Sequence, residues 1–489
     1  MPSIKKLVGQ TAVYGFSTIL GRLLNYLLVP LHTYLFQPAQ YGVVGELYAW
    51  VSLFVVILTY GMETAFFRFS QMDEYKNKCY STAIVSLFTT SVIFSVLCTC
   101  FSQPIAGWMQ YGNHPEYITW IAIIISIDAL TSIFFASLRL QMKAVKFAIV
   151  KITNILVNIL LNLFFLLLCP YLLKNGIATE FLNTIYNPEI GVGYIFIANL
   201  AASIVTLVML APDIFKIRVT FSWSLWRKMF AYAFPLLILG LAGIVNETMD
   251  RVLLKNLSPA EIAQSQVGIY SACYKISIMM TIFIQAFKYA AEPFFFSKSK
   301  DADAKATYAV VMKYFVLCCA VMFLGIMLYI DIVKYFVGPE YHQGLVVVPI
   351  LLLANLFLGI FYNLSIWYKL TGQTRFGAYI ALIGAAITLG LNYLLIPVIG
   401  YLGSAWATFA CYFCMMVLSY ILGQKYYHVN YQIGKILFSI AAAVAIYYGS
   451  TFLPIENFSL KMVVNTCLLI GYIFVIILAE RKNFREDFK

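Results

Sequence analysis

Nine ionisable residues fall within, or at the ends of, stretches otherwise apolar enough to cross a bilayer: Arg22, Glu63, Arg68, Asp128, Glu247, Asp250, Arg251, Lys275 and Lys288. A charge at the centre of a membrane helix is costly, so such groups normally face a wet cavity or a partner and mark functional positions. Depth along a helix follows from the rise of about 1.5 Å per residue. Arg22 stands about 13 residues into the first apolar segment, roughly 20 Å deep and near the midplane, and Asp128 is similarly deep. Lys275 is roughly 14 Å from the outer end of its helix. Glu63, Arg68, Lys288 and Glu292 cluster towards the inner face, and Glu247, Asp250 and Arg251 towards the outer. The charges mark a track through the membrane with more cation than anion at its centre. Arg22 and Lys275 are too deep to reach headgroups easily, whereas Arg68, Arg251, Lys288 and Lys313 are close enough to helix ends to snorkel as an alternative. Asp128 reads equally as a counter-ion for Arg22 or as a proton or ion coupling site. Asp250 and Arg251 are neighbours that do not share a helix face, which suggests an i, i+4 pairing of Glu247 with Arg251.

The elements that position these groups are long apolar helices. Of 489 residues, 62% are hydrophobic and only 11% charged, against about 25% charged in a soluble domain. A hydrocarbon core of about 30 Å needs about 20 apolar residues per helix. That rule gives about fourteen spans, near 9–36, 41–68, 79–107, 116–138, 147–172, 191–211, 229–254, 266–292, 306–330, 345–369, 376–398, 402–423, 434–453 and 460–480. The expected fold is an all-α polytopic membrane protein. Its connections are too short for a folded domain, which places function within the membrane. No cleavable signal peptide is expected after Met1 to Lys6. The ten cysteines lie mostly in apolar runs without C-x-x-C spacing and read as packing residues.

With the N-terminus inside, 24 of the 33 Lys and Arg residues fall on the inner side and five on the outer, which puts both termini in the cytoplasm. The net charge of +12 therefore reflects inner loops and gives no reason to expect nucleic acid.

The second half repeats the first. Pro38-Ala39-Gln40 corresponds to Pro259-Ala260-Glu261, and Asn25 to Asn246. Arg139-Leu140, Phe147 and Asn162 correspond to Lys369-Leu370, Phe376 and Asn392, and Ile190-Gly191 to Ile399-Gly400. Six helices separate the copies, and an even number preserves direction, so the repeat is parallel about an axis along the membrane normal. This divides the chain into an N-lobe at 1–218, a C-lobe at 219–424, and two further helices with a cytoplasmic tail at 425–489. Those last two spans are expected to lack buried charge. Asn154, Asn158 and Asn162 recur on one helix face and suggest interhelical hydrogen bonding in preference to cavity lining. Pro30 and Pro235 occupy the first helix of each copy, where a missing backbone bond permits bending.

The opening G-R-L-L-N-Y-L-L-V-P … P-A-Q-Y-G and the centre M-D-R-V-L-L … V-G-I-Y-S-A-C-Y-K-I-S resemble the polysaccharide transporter family. That family holds the O-antigen and capsule repeat-unit flippases of the multidrug/oligosaccharidyl-lipid/polysaccharide superfamily. Gln40 departs from the Glu often found there, while the second copy keeps Glu261. The resemblance implies two six-helix lobes around a central cavity alternately open to each side, a MATE-like fold. It implies an undecaprenyl-pyrophosphate-linked oligosaccharide as substrate, in the inner membrane of a bacterium, with a polysaccharide polymerase and chain-length machinery as partners. Arg22 and Lys275 would then hold the pyrophosphate near the midplane, Arg68 and Lys288 receive it inside, and Arg251 meet it outside. Asp128, Glu63, Glu247 and Asp250 would serve as counter-ions or couple movement to protons or sodium. No catalytic residue, metal or cofactor is expected. The rivals are a lipid II flippase, a multidrug cation antiporter, and a membrane polysaccharide polymerase; no H-E-x-x-H, P-loop or G-x-S-x-G in suitable context favours an enzyme.

Overall fold

The structure, a computed structural model, describes residues 19–21, 23–214, 220–299 and 301–487. Among these residues thirteen helices are long and apolar enough to cross a membrane, the first Pro38–Phe69 and the last Phe458–Arg481. Each overlaps an expected span. The expected first span, 9–36, is described only in part, and Arg22 lies outside the described residues.

The first half runs α1 (Leu28–Leu35), α2 (Pro38–Thr59), α3 (Met62–Phe69), α4 (Lys76–Cys100), α5 (Ser102–Trp108), α6 (Pro115–Leu140), α7 (Ala144–Leu163), α8 (Cys169–Lys174), α9 (Thr179–Ile185) and α10 (Gly193–Ile214). The second runs α11 (Trp223–Leu257), α12 (Ala260–Lys298), α13 (Ala304–Leu328), α14 (Ile330–Val333), α15 (Val348–Leu364), α16 (Ile366–Leu370), α17 (Arg375–Ile399), α18 (Tyr401–Tyr426), α19 (Ile433–Thr451) and α20 (Phe458–Asp487).

Local sequence explains where several of these start and break. Helix α2 opens on Pro38, whose missing N–H is no loss at a first helical position, and the Gln37 N–H donates to the Gln40 side chain at 3.1 Å. It ends at Tyr60 and Gly61, both with positive φ (33° and 70°), and α3 then resumes. Between α7 and α8 a π turn covers Phe164–Leu168. Pro170 follows, and its ring would meet the carbonyl of Leu166 in a regular helix; the wider turn relieves that clash.

The repeat read from sequence has a counterpart in backbone geometry. Gly191 and Gly400 adopt nearly the same conformation, φ 51°, ψ −119° and φ 57°, ψ −135°. Met142 and Gly372, each three residues past the aligned Arg139 and Lys369, both have positive φ (58° and 69°). Asn162 and Asn392 are each fully buried, and each donates from Nδ2 to the carbonyl four residues back.

By packing, the chain forms two compact units, Met1–Val252 and Leu253–Lys489. The division expected from the repeat, at 218/219, precedes α11; the division by packing falls inside it. The reason is local. Leu225, Met229 and Ala233 share one core with Met62, Ala65, Phe66, Phe69, Cys79 and Ala83. Polar contacts reinforce it: Trp226 Nε1 donates to Ser86 Oγ at 2.6 Å and Lys228 Nζ to the Tyr75 hydroxyl at 2.6 Å.

In the C-terminal unit, α20 is fastened along α13. Lys461 Nζ donates to Asp331 Oδ2 at 2.6 Å, Asn465 Nδ2 to the Leu328 carbonyl at 2.6 Å, and Lys313 Nζ to Glu480 Oε2 at 2.6 Å. Glu480 also accepts from Lys435 of α19 at 2.9 Å. The expectation that the last two spans lack buried charge is therefore overturned. Glu480 is 6% exposed and Lys313 fully enclosed, because the end of the apolar span of α20, at Arg481, carries the carboxylate to where Lys313 ends. The cysteines are free thiols, and Cys79, Cys169, Cys273, Cys319 and Cys411 are buried, in keeping with a packing role.

Two substitutions test this account. A Cβ at Gly61 would stand 2.8 Å from the Ala233 carbonyl oxygen, in a backbone conformation that already disfavours side chains. Gly61→Ala should cost about 1–3 kcal/mol of stability, read as a lower melting temperature in detergent. Glu480→Ala leaves Lys313 enclosed without its carboxylate and should cost about 3–5 kcal/mol, whereas the double change of Lys313 and Glu480 to Met should recover most of it.

Candidate functional site

In the N-terminal unit the first turn of α3 and the last turn of α6 meet through charge. Arg139 donates to Glu63, and its guanidinium lies 5.2 Å from the centre of the Phe67 ring. Glu63 is thus a counter-ion for a residue that looked, from sequence, like an ordinary inner-loop cation. Arg68, one turn on, stands 4.3 Å over the ring of Tyr232, a cation–π contact that holds a charge against an aromatic face at low desolvation cost.

Deeper in this unit, α6, α7 and α10 carry a polar cluster. Ser203 Oγ donates to Asp128 at 3.1 Å. Lys151 is the charged group that faces Asp128, and its ammonium also lies 4.2 Å over the Phe135 ring. Whether Arg22 pairs with Asp128 falls outside the described residues. The three asparagines of α7 all bond across helices. Asn154 Nδ2 donates to Thr206 Oγ1 at 2.9 Å, Asn158 Nδ2 to Asn25 Oδ1 at 3.3 Å, and Asn162 Oδ1 accepts from His32 Nε2 at 2.8 Å. With Asn162 Nδ2 donating onward to Asn158, these side chains form a directional chain from His32 to Asn25.

Towards the end of α11, Asp250 and Arg251 are buried, 2% and 9% exposed. The expected pairing of the Glu247 carboxylate with Arg251 is replaced by a different one. Arg251 Nη1 donates to Asp250 Oδ1 at 3.0 Å and to the Glu247 backbone carbonyl at 2.6 Å, while the Glu247 side chain is exposed. The long arginine side chain folds back along its own helix, so adjacency does not prevent the contact.

In the C-terminal unit, Lys275 is half-buried on α12. Three turns further on, Lys288 stands 4.5 Å over the Tyr362 ring. Glu292, on the same face of α12, accepts from Lys369 of α16 at 2.7 Å. Lys369 aligns with Arg139 in the repeat, so the same basic position meets a glutamate in each unit, although the two glutamates are not themselves at aligned positions. The eight described sequence candidates thus fall into local settings within each of the two units.

Sequence reasoning passed over Arg139 and Lys369, which it counted as loop charges, and Glu480. It also passed over Glu46, a buried carboxylate in α2 that accepts from the Tyr111 hydroxyl. Glu46 was visible by the rule that exposed the others: an ionisable group inside an apolar span. Among the described residues no group of three or more His, Cys, Asp or Glu side chains is arranged to hold a metal ion.

The profile of the polysaccharide biosynthesis protein family matches residues 7–299, more than half of the chain. No curated protein matches the sequence. Among solved structures, the lipid II flippase MurJ in an inward closed conformation superimposes with a TM-score of 0.67 at 14% identity, over 98% of this chain and 100% of that one. An inward-facing multidrug resistance MATE family transporter of the MOP superfamily gives a TM-score of 0.62 at 13% identity, over 84% of this chain and 94% of that one. These likenesses concern the fold. The chain is a multi-pass membrane protein of the polysaccharide biosynthesis protein family, built on the fold shared by MATE transporters and the MurJ flippase.

Proposed function

We propose that the protein moves an undecaprenyl-pyrophosphate-linked oligosaccharide from the inner to the outer leaflet of a bacterial inner membrane, by alternating access and without covalent chemistry. The observation that carries this reading is Lys288. It is a cation within a membrane-spanning helix that has no carboxylate at ion-pair distance among the described residues and rests instead on Tyr362. A phosphate crossing a low-dielectric region needs such cations, and Arg22, Lys275, Arg68 and Arg251 extend the supply from the inner face through the midplane to the outer. An apolar cavity of about 580 Å³ between α13, α19 and α20, lined by Leu317, Phe438, Leu468 and Val475, suits part of a prenyl chain. Asp128 is the coupling candidate for a proton or sodium ion. Both termini lie in the cytoplasm on this reading, and a polymerase with its chain-length machinery receives the product.

Depleting the protein should raise a polyprenyl-pyrophosphate glycan several-fold in membrane lipids measured by mass spectrometry. Arg22→Ala, or Arg22→Ala with Lys275→Ala, should reproduce the rise. Unchanged lipids together with new sensitivity to cationic drugs would replace this reading with an antiporter.

A further inference from the structure

We infer that Lys288 and Lys369 form a two-lysine phosphate seat at the inner end of the C-terminal unit, which Glu292 occupies until a phosphate displaces it. The inference rests on the proposed function only for the source of the phosphate.

Lys288 and Glu292 are four residues apart on α12 and share a face. Glu292 nonetheless gives its carboxylate to Lys369, at 2.7 Å, and leaves Lys288 on the Tyr362 ring at 4.5 Å. Two ammonium groups therefore face one carboxylate, an excess of one positive charge beside a membrane-spanning helix. A pyrophosphate brings more negative oxygens than a carboxylate and can accept from both lysines at once.

The N-terminal unit offers a contrast. There Arg139 donates to Glu63 and Lys151 stands near both, but a second carboxylate, Asp128, faces Lys151 and balances it. The carboxylate that faces Lys288 is Glu292, already engaged by Lys369.

Size decides the state of the seat. The cavity beside Lys288, Glu292, Asn363 and Lys369 measures about 20 Å³, room for one water or a single oxygen. Asn363 is 5% exposed, and its Oδ1 has no protein partner, as expected of a group that bonds a small occupant. A whole phosphate enters only when the Glu292 carboxylate swings out. The Lys369 and Glu292 side chains are 27% and 38% exposed, and a pair so open to solvent is weak enough to exchange.

The sign of one substitution tests this. Equilibrium binding of inorganic pyrophosphate to the purified full-length protein in detergent would be measured by calorimetry, with glucuronate as a second probe and melting temperatures as a fold control. Glu292→Gln should tighten pyrophosphate binding at least fivefold, because it vacates the seat. Lys288→Gln and Lys369→Gln should each weaken it at least fivefold. Asp301→Asn removes the same charge from an exposed pair with Lys298 and should stay within twofold. Weaker or unchanged binding in Glu292→Gln overturns the seat, as does equal tightening in Asp301→Asn. The same pattern with glucuronate but not pyrophosphate overturns the phosphate assignment in favour of an acidic sugar. If the seat behaves as stated while depletion leaves membrane glycolipids unchanged, the flippase reading fails and the seat stands. If glycolipids accumulate but Glu292→Gln does not tighten binding, the reverse holds.

Discussion

The constraint beneath this structure is the cost of an ionised side chain in hydrocarbon. Water is not available to solvate it, so the protein must supply a carboxylate, an aromatic face or a backbone carbonyl. Each answer occurs here. Lys313 takes a carboxylate from a helix 167 residues later. Arg68 and Lys288 lie against tyrosine rings. Arg251 divides itself between Asp250 and a carbonyl of its own helix. Because each charge fixes the helix that answers it, the pairings specify helix neighbours that apolar packing alone leaves interchangeable; leucine contacts leucine as readily as it contacts lipid.

The helices were legible because length and apolarity are one-dimensional properties. The described ends depart from the expected ones by a few residues, most where a cap such as Pro38 or a long amphipathic extension such as 293–298 of α12 lies beyond the apolar stretch. The repeat was legible because it left marks at single positions: a glycine at 191 and again at 400, a buried asparagine at 162 and again at 392. The partners were not legible. Which carboxylate meets Arg139 depends on how α3 and α6 pack, and nothing near residue 139 announces Glu63. Glu480 was overlooked because a carboxylate at the end of an apolar span reads as a headgroup contact until the position of Lys313 is known. The pairing of Asp250 with Arg251 was missed for a different reason. A helix-face rule built on Cβ directions takes no account of an arginine long enough to curl back.

The two units share a plan and differ in charge. In each a basic residue at an aligned position, Arg139 or Lys369, meets a glutamate, Glu63 or Glu292. The N-terminal unit adds neutral amides, with Asn154, Asn158 and Asn162 bonded to neighbouring helices. It also pairs its additional cation, Lys151, with Asp128. The C-terminal unit adds Lys288, which rests on Tyr362.

Helix α11 joins the two units without a loop. Its first three turns belong to the core around Phe66, and the passage from Val252 to Leu253 occurs inside continuous helix. The crossing therefore uses no turn residues. Pro235, which cannot donate to the helix ladder, leaves its one missing hydrogen bond well before that crossing, within the first unit itself. What softness the proline gives the helix belongs to that unit's own packing.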